Sequence, residues 1–329
     1  MAIPKRKLVI GIDLGGTNMQ IGVVDPLYKI PGRSKKKTRA IEGMQKVLDR
    51  IVDGVSEACQ EAGVAVKDIA ALGIGAPGAI DPAAGVVVQA PNLNWHNVPL
   101  AMLLKKRLNI PVVVDNDVNV AVYGEWRLGA GKGVTDMLGV WLGTGVGGGM
   151  ILNSKLYYGG FFTAGEIGHN VLFPGAPPGT RKVEDCCSRT AVVRHILQLI
   201  HTGRKSVIPE MCGGDLSEIR AKTVSMAYEK NDLPTREVID NAAELLGIVV
   251  ANAVTLLSLP RVVLGGGLTE AMGDALVKPV REATRRYVFP DVLKKVEVVA
   301  TKLEANAGLL GAALLAQEAA GLAKAPVTK

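Results

Sequence analysis

The sequence contains few cysteines and few aromatic side chains. Four of its 329 residues are cysteine, and aromatic residues make up 4% of the chain. No two cysteines have the C-x-x-C spacing of a zinc or redox site, and the adjacent pair Cys186–Cys187 does not have the spacing of metal ligands. We therefore expect free thiols in a reducing compartment, and neither a disulfide framework nor a zinc cluster.

Long apolar runs are also missing. No run reaches the roughly 18 residues that a membrane-spanning helix requires. Residues 1–7 lead directly into an apolar, strand-like run, which leaves no space for the apolar core and cleavage site of a signal peptide. These absences predict a cytoplasmic protein without a membrane partner.

Acidic residues are outnumbered by basic ones, and the net charge is +7. Several of the cations lie in the segment 29–39, which could attract nucleic acid or another polyanion. Only Tyr28 accompanies them as an aromatic residue, so base stacking has little support. We expect a solvated loop or an edge strand that binds no nucleic acid. The alternative is that the segment helps to concentrate an anionic nucleotide.

Small and apolar residues dominate the rest of the chain. This composition is typical of α/β proteins with closely packed parallel strands, and the length allows two domains. The apolar runs predict the order β-β-β-α-β-α-β in the first half, and the second half largely repeats it. The predicted strands are 7–13, 19–25, 35–40, 69–76, 111–115, 136–142, 147–152, 261–264 and 295–300; the predicted helices are 41–62, 99–108, 189–201, 236–258, 270–287 and 304–320; residues 170–186 are predicted to form a loop.

A strand, a glycine turn and a second strand occur near the start of each half. The turns are 13–18, which reads Asp-Leu-Gly-Gly-Thr-Asn, and 143–148, which reads Gly-Thr-Gly-Val-Gly-Gly. Glycines let backbone N–H groups approach an anion, and Thr and Asn side chains add donors. We expect two phosphate-binding turns; the alternative is a pair of ordinary hairpins. The G-x-G-x-x-G spacing of 143–148 does not indicate a Rossmann site, because a strand follows it.

Polar residues end the predicted strand 111–115, and a helix-like pattern follows them. Asn116 and Asp117 therefore lie at the carboxyl edge of a parallel strand, where α/β proteins bind ligands. A helix N-terminus stabilises a carboxylate, and Asp117 could accept a hydroxyl proton there. The alternative is that these residues only cap the helix.

A second polar set lies in loops. Glu166 and His169 are three residues apart among glycines, and with Glu184, Asn92 and Asn94 they offer the donors and acceptors that sugar hydroxyls require. Each of them could instead be a satisfied structural group.

A third glycine cluster, Gly265–Gly267, ends the strand 261–264. It would suit the close approach of a flat ligand such as adenine. The alternative is a plain strand-to-helix turn.

These motifs, in this order, resemble those of the ROK family of bacterial and archaeal sugar kinases, and its glucokinase branch most closely. The similarity extends from Leu8 to about Ala316. It is carried by a first phosphate motif at Asp13–Asn18, a sugar-side segment at Gly75–Gly78 and Ala90–Trp95, a catalytic pair at Asn116–Asp117, a second phosphate motif at Leu142–Gly145, a sugar-binding signature at Glu166–His169 and an adenosine motif at Gly265–Gly267.

The resemblance implies an α/β, actin/hexokinase-like (ribonuclease H-like) fold, in which duplicated β-β-β-α-β-α-β domains flank an interdomain cleft. We expect a small domain at 1–116, with the C-terminal helix at about 304–329 packed back on it, and a large domain at 117–303. The resemblance also implies a homodimer or homotetramer.

The implied activity is transfer of the γ-phosphate of ATP, with Mg²⁺, to a hexose hydroxyl, most closely glucose to glucose 6-phosphate. Asp117 would be the catalytic base, and Asp13 would help to place Mg²⁺ through water. The sugar would be held by Asn92, Asn116, Glu166, His169 and Glu184. The nucleotide would be bound by Asp13, Gly15, Gly16, Thr17, Asn18, Gly143, Thr144, Gly145, Gly265, Gly266 and Gly267.

The sequence departs from the family in one segment. Family members usually carry a zinc-binding C-x-C-G-x-x-G-C run before the residue that corresponds to Glu184, whereas residues 175–184 contain no cysteine. We expect no zinc, and His169 need not be a metal ligand.

Other functions remain alternatives. The acceptor could be fructose, mannose or an N-acylated hexosamine, and polyphosphate could replace ATP. ROK-type transcriptional regulators share the fold and the sugar site, but they carry a helix-turn-helix domain before the first phosphate motif. Only seven residues precede Leu8 here, which favours the enzyme.

Overall fold

The computed structural model describes residues 7–323. Its strands are β1 Leu8–Leu14, β2 Asn18–Val24, β3 Gly32–Lys37, β4 Ile69–Ala76, β5 Ala79–Asp81, β6 Val86–Ala90, β7 Trp95–Val98, β8 Val112–Asn116, β9 Met137–Leu142, β10 Val146–Leu152, β11 Lys155–Leu156, β12 Arg261–Gly265 and β13 Glu297–Ala300. Its α-helices are α1 Met44–Glu61, α2 Leu100–Leu108, α3 Asp117–Leu128, α4 Val183–Cys187, α5 Arg189–His201, α6 Ile208–Met211, α7 Ala221–Glu229, α8 Leu233–Leu257, α9 Gly267–Met272, α10 Asp274–Tyr287 and α11 Ala307–Ala319.

The chain divides into two compact units. Among residues 7–323, unit 1 comprises the residues up to Gly129, the segment Asn153–Ala164 and the residues from Asn306, and unit 2 comprises Ala130–Leu152 and Gly165–Ala305. These bounds differ from the domains predicted at 1–116 and 117–303, and that division stays a prediction.

The main sheet of unit 1 has the strand order β3-β2-β1-β4-β8. Strands β1, β2 and β3 are antiparallel neighbours, while β1, β4 and β8 run parallel. Strands β1 and β4 are buried on both faces, as their apolar sequences predict for central strands. The basic segment forms edge strand β3, in which every second side chain is exposed, so the expectation of an edge strand is confirmed.

Helix α11 packs against β1 and β4 of the unit 1 sheet. The close approach depends on two glycines of the sheet. A Cβ at Gly11 would overlap the carbonyl oxygen of Leu309, and one at Gly73 would overlap that of Ala312. Helix α3 packs on α11 in turn, which places its first residues at the carboxyl end of β8.

The strands of unit 2 lie in a second sheet in the order β10-β9-β12-β13, which repeats the order β2-β1-β4-β8 of the first sheet. Strands β9 and β10 form an antiparallel hairpin, while β12 runs parallel to both β9 and β13. The duplicated β-β-β-α-β-α-β pattern predicted from the sequence is therefore confirmed.

Helix α8 is the central helix of unit 2, and it packs against α5 and α10. It is long and apolar enough to cross a membrane by length and composition alone, but more than half of its most apolar window is buried inside the structure. Core helices of soluble proteins have the same character, so α8 is accounted for by packing.

Several local predictions were wrong. The segment predicted as a loop at 170–186 ends in helix α4, and the helix predicted at 270–287 is divided into α9 and α10 at Gly273. Gly273 has φ of 53°, which interrupts a right-handed helix. The short strands β5, β6 and β7 form a separate three-stranded sheet that the sequence pattern did not predict.

Candidate active site

The first glycine turn lies between β1 and β2. The backbone N–H of Gly15 donates to the carbonyl oxygen of Asn18 at 3.0 Å. Thr38 binds the other side of the turn: its hydroxyl donates to the carbonyl oxygen of Gly15 at 2.6 Å, and its N–H donates to that of Thr17 at 2.8 Å. The turn is thereby held in one conformation, with these carbonyl oxygens engaged and with Thr17 exposed.

Asp13 lies at the end of β1 and is half-buried. Its Oδ2 lies only 2.7 Å from the position that a Cβ on Gly308 would take. Gly308 is the second residue of α11, so the carboxylate lies against the N-terminus of a 13-residue helix. The partial positive charge of that helix end stabilises an ionised carboxylate.

The carboxyl ends of β1, β4 and β8 bring three predicted segments together in unit 1. Gly75 of β4 pairs in register with Asp13 on one side and with Asp115 on the other. A Cβ at Gly75 would lie 3.1 Å from the Cα of Asp117 and would overlap Val120. The absence of a side chain at this position lets α3 begin next to the sheet.

Asn116 caps helix α3. Its Oδ1 accepts hydrogen bonds from the N–H groups of Val118 at 2.9 Å and Asn119 at 3.0 Å, and its Nδ2 donates to the carbonyl oxygen of Gly78 at 3.0 Å. The capping role that the sequence left open therefore belongs to Asn116. Asp117 is the first residue of the helix and is half-buried, and its Oδ1 lies 2.9 Å from the N–H of Val118.

Asp115 is a functional candidate that sequence reasoning did not single out. Its buried carboxylate accepts hydrogen bonds from the N–H of Asn116 at 2.7 Å, Nδ2 of Asn119 at 3.2 Å and the hydroxyl of Tyr158 at 2.6 Å. Burial raises the pKa of Asp115, although these hydrogen bonds oppose the shift. Burial also raises the pKa of Tyr158, and the neighbouring carboxylate adds to that shift.

Asn92 lies beside the first glycine turn. It belongs to a short 3₁₀ helix, Pro91–Leu93, and its Cβ lies 3.3 Å from the position of a Cβ on Gly16. The side chain is exposed. The structure thus brings a predicted sugar ligand next to a predicted phosphate ligand within unit 1.

The second glycine turn lies between β9 and β10 in unit 2. The N–H of Gly143 donates to the carbonyl oxygen of Gly145 at 2.9 Å, and the N–H of Val146 donates to Oε2 of Glu184 at 2.9 Å. A Cβ at Gly145 would overlap Glu184 Oε2. Glu184 therefore supports the turn with one carboxylate oxygen, a role that the sequence did not indicate.

Arg189 was also missed by sequence reasoning. It is the first residue of α5, and its N–H donates to the carbonyl oxygen of Gly143 at 3.0 Å while Nη2 donates to Oγ1 of Thr144 at 3.1 Å. The hydroxyl of Thr190 donates to the carbonyl oxygen of Thr144 at 2.8 Å. A guanidinium group and a helix N-terminus thus meet the second turn, which makes it attractive to an anion.

Glu166 and His169 lie on one short segment that packs against β10. Close approach requires glycines, since a Cβ at Gly168 would overlap the carbonyl oxygen of Val146. His169 Nε2 lies 3.9 Å from Glu166 Oε2, and both side chains are about half exposed. This distance is too long for a hydrogen bond, but an oxygen at about 2.8 Å from both atoms fits between them. One hydroxyl could accept from the imidazole and donate to the carboxylate.

The third glycine cluster joins β12 to α9. A Cβ at Gly265 would lie 2.5 Å from the ring of Trp141, and one at Gly266, where φ is 85°, would lie 2.7 Å from the backbone of Leu142. Close packing requires a glycine at both positions, and the positive φ of Gly266 favours glycine there as well. A Cβ at Gly267 would meet no atom within 4 Å among the described residues, so this position leaves open space for a ligand, and nucleotide binding by Gly265 and Gly266 stays a prediction.

The described residues fit a magnesium ion that is held through water molecules better than one that is bound directly by several protein side chains. Within residues 7–323 there is no group of three or more His, Cys, Asp or Glu side chains that could hold a metal ion. Mg²⁺ in phosphotransfer sites is commonly held by one or two carboxylates together with water and substrate phosphates. Asp13 is a half-buried carboxylate of this kind.

Comparisons with known proteins agree with the motifs. The ROK family matches residues 9–319. A glucokinase from Halalkalibacterium halodurans is 31% identical over 94% of this chain and 94% of that protein. A glucokinase from Thermotoga maritima is 34% identical over 97% of this chain and 100% of that protein.

A crystal structure with a similar fold also belongs to this family. It is that of a ROK family glucokinase from Streptomyces griseus in complex with glucose and AMPPNP, with a TM-score of 0.84 and 32% identity over 94% of this chain and 99% of that chain. The chain therefore belongs to the ROK family and has its actin/hexokinase-like fold.

Proposed function

We propose that this protein transfers the γ-phosphate of ATP to glucose and produces glucose 6-phosphate. The observation that carries the proposal is the position of Asp117, at the carboxyl end of a parallel strand and the N-terminus of α3. Support comes from the glucokinase relatives and from the glucose and AMPPNP in the Streptomyces griseus structure.

Asp117 would orient the acceptor hydroxyl and take its proton as the phosphoryl group transfers. Such a base contributes about 10²–10⁴-fold to the rate, while the rest of phosphoryl transfer depends on positioning and electrostatics. Asn116 and Asp115 would keep Asp117 in place, because both hold the backbone at the start of α3.

The two glycine turns would bind the phosphates through backbone N–H groups, Thr17 and Thr144. Asn18 would add a donor at the first turn, and Arg189 would add a positive charge at the second. Asp13 would place Mg²⁺ through water; the ion, when bound, neutralises phosphate charge. The Gly265–Gly267 cluster would bind the adenosine, and Gly267 would leave space for it.

The sugar would be held by hydrogen bonds from the exposed and half-buried polar set, namely Asn92, Asn116, Glu166, His169 and Glu184. The Glu166–His169 pair would bind one hydroxyl between them. Glu184 would offer its Oε1, because Oε2 accepts from Val146. Unpaired sugar hydroxyls are costly to bury, so these contacts would set the specificity.

We further propose that the protein is cytoplasmic and forms a homodimer or homotetramer. Sedimentation of the purified chain measures the oligomeric state. An exclusively monomeric species at micromolar concentration would contradict the proposal of an oligomer.

A coupled assay tests the activity. Glucose, fructose, mannose and an N-acylated hexosamine are offered with ATP or with polyphosphate, and we expect the highest kcat/KM for glucose with ATP. Asp117→Asn should fold and bind glucose but lose at least 10²-fold in kcat. Asp53→Asn, an exposed carboxylate on α1, is the control and should leave activity unchanged. Near-normal turnover by Asp117→Asn would exclude Asp117 as the base.

A further inference from the structure

The side chain of Lys182 contacts His169, and the proposed phosphoryl transfer assigns no role to Lys182. Its Nζ lies 3.0 Å from Nδ1 of His169, thirteen residues away in the chain. The other ring nitrogen of His169, Nε2, faces Oε2 of Glu166 at 3.9 Å. The imidazole is therefore flanked by a cation on one side and a carboxylate on the other.

The backbones of both residues are held by hydrogen bonds of their own. The N–H of Lys182 donates to Oδ2 of Asp185 at 3.0 Å, and Lys182 forms an antiparallel bridge with Val171. The N–H of His169 donates to the carbonyl oxygen of Glu166 at 3.1 Å. Backbone hydrogen bonds thus hold both residues of the ammonium–imidazole pair within this loop.

An ammonium group can only donate hydrogen bonds, so Nδ1 of His169 must be the acceptor. The proton of the neutral imidazole then resides on Nε2, since a neutral ring carries one proton. Nε2 is the nitrogen that faces Glu166, so the ring presents a donor toward the predicted sugar-binding side. If the proton were on Nδ1, two hydrogen-bond donors would face each other, namely the ring N–H and the ammonium group of Lys182.

The same contact does not fit the zinc ion that the family usually binds near this segment. Zinc on Nδ1 would need the lone pair that the ammonium group occupies. Zinc on Nε2 would need the proton on Nδ1, where a donor already lies. Residues 175–184 also supply no cysteine for the remaining positions of a tetrahedral site.

We propose that Lys182 takes the place of a metal at this loop: it is a positioning residue that holds His169 in the Nε2–H tautomer, as a hydrogen-bond donor to the sugar. The part of this inference that concerns the sugar rests on the proposed function. The part that concerns the imidazole does not depend on it.

Nitrogen-15 NMR of the histidine rings in the full-length protein tests the tautomer without any substrate. The chain has four histidines, and His169→Gln identifies the signal of interest by its loss. We expect Nδ1 of His169 to be an unprotonated acceptor and Nε2 to carry the proton. In Lys182→Met, the Nδ1 resonance should move to the position of a nitrogen that accepts no hydrogen bond. A proton on Nδ1 in the unmodified protein, or an Nδ1 resonance that Lys182→Met leaves unchanged, would overturn the proposal.

Steady-state kinetics test the role of the contact. We expect Lys182→Met to raise the KM for the sugar by about 3- to 10-fold, the effect of one neutral hydrogen bond, with the KM for ATP unchanged. Lys182→Arg keeps a cationic donor and should restore part of the loss. In a His169→Gln background, Lys182→Met should have no further effect, because Lys182 acts through His169.

Lys222→Met, which removes an exposed lysine from α7, is the matched control and should change neither KM. Equal effects of Lys182→Met with and without His169 would contradict a positioning role, as would one zinc per chain by elemental analysis. If no sugar is phosphorylated at all, the proposed function fails, and the NMR result still decides the tautomer.

Discussion

The hydroxyl of Tyr158 donates a 2.6 Å hydrogen bond to Oδ2 of Asp115, two residues before the proposed catalytic base. The two residues are 43 positions apart in the chain, yet both belong to unit 1. Asp115 also accepts from the N–H of Asn116, so the phenol, the buried carboxylate and the start of α3 are connected by hydrogen bonds.

Removal of the Tyr158 hydroxyl is expected to weaken both stability and turnover. Tyr158→Phe leaves one oxygen of a buried carboxylate with one donor fewer, which costs about 1–3 kcal/mol in the free energy of unfolding. We also expect a lower kcat, because the backbone before Asp117 loses a restraint. Tyr157→Phe, on an exposed neighbour, is the control. Denaturant unfolding and kinetics of both variants test this, and identical results for the two would contradict it.

The raised pKa of Asp115 predicts a pH dependence of stability. Between the ordinary pKa of 3.8 and the raised value, the folded protein binds more protons at Asp115 than the unfolded chain does. The contribution of Asp115 to the free energy of unfolding must then fall as pH rises through that window, and level off above it. Asp115→Asn removes this contribution. Unfolding of both proteins from pH 3.5 upward should show the unmodified protein losing stability relative to Asp115→Asn; the opposite slope would mean a lowered pKa.

Arg189 is expected to contribute to nucleotide binding. Arg189→Ala removes the positive charge beside Thr144 and should lower kcat/KM for ATP by about 10- to 100-fold, the range for a hydrogen bond to a charged group, with little change in the KM for glucose. Arg189→Lys should recover part of the loss. Arg204→Ala, which breaks an exposed ion pair with Glu237, serves as the control. An unchanged kcat/KM for ATP would exclude phosphate contact by Arg189.

A side chain at position 308 should disturb Asp13 and, through it, the response to magnesium. The Cβ of Gly308→Ala would lie 2.7 Å from Asp13 Oδ2, so the carboxylate has to move while the helix itself tolerates alanine. We expect a higher Mg²⁺ concentration for half-maximal activity and an unchanged KM for glucose. Gly160→Ala has open space around its Cβ and provides the comparison. Identical Mg²⁺ titrations for the two variants would show that Asp13 does not place the ion.

The element order and the two glycine turns were accessible from the sequence, because the periodicity of apolar residues and the flexibility of glycine are local properties. The apolar runs of β1 and β4 predicted strands, and the cations of the segment 29–39 predicted a solvated loop or an edge strand, of which the edge strand β3 is observed. Helix α4 was missed because five residues are too few to show a helical period. Strands β5 to β7 were missed for the same reason.

The sequence by itself determined the duplicated α/β order, the family and the candidate residues at strand ends. Only the tertiary structure decided which of them meet. The pairs Asp115–Tyr158, Glu184–Val146, Arg189–Thr144 and Lys182–His169 join residues that are distant along the chain. Strand register and helix packing bring such pairs together, and these depend on the burial of whole elements. No local pattern records them, so the supporting contacts of the site became visible only in the folded chain.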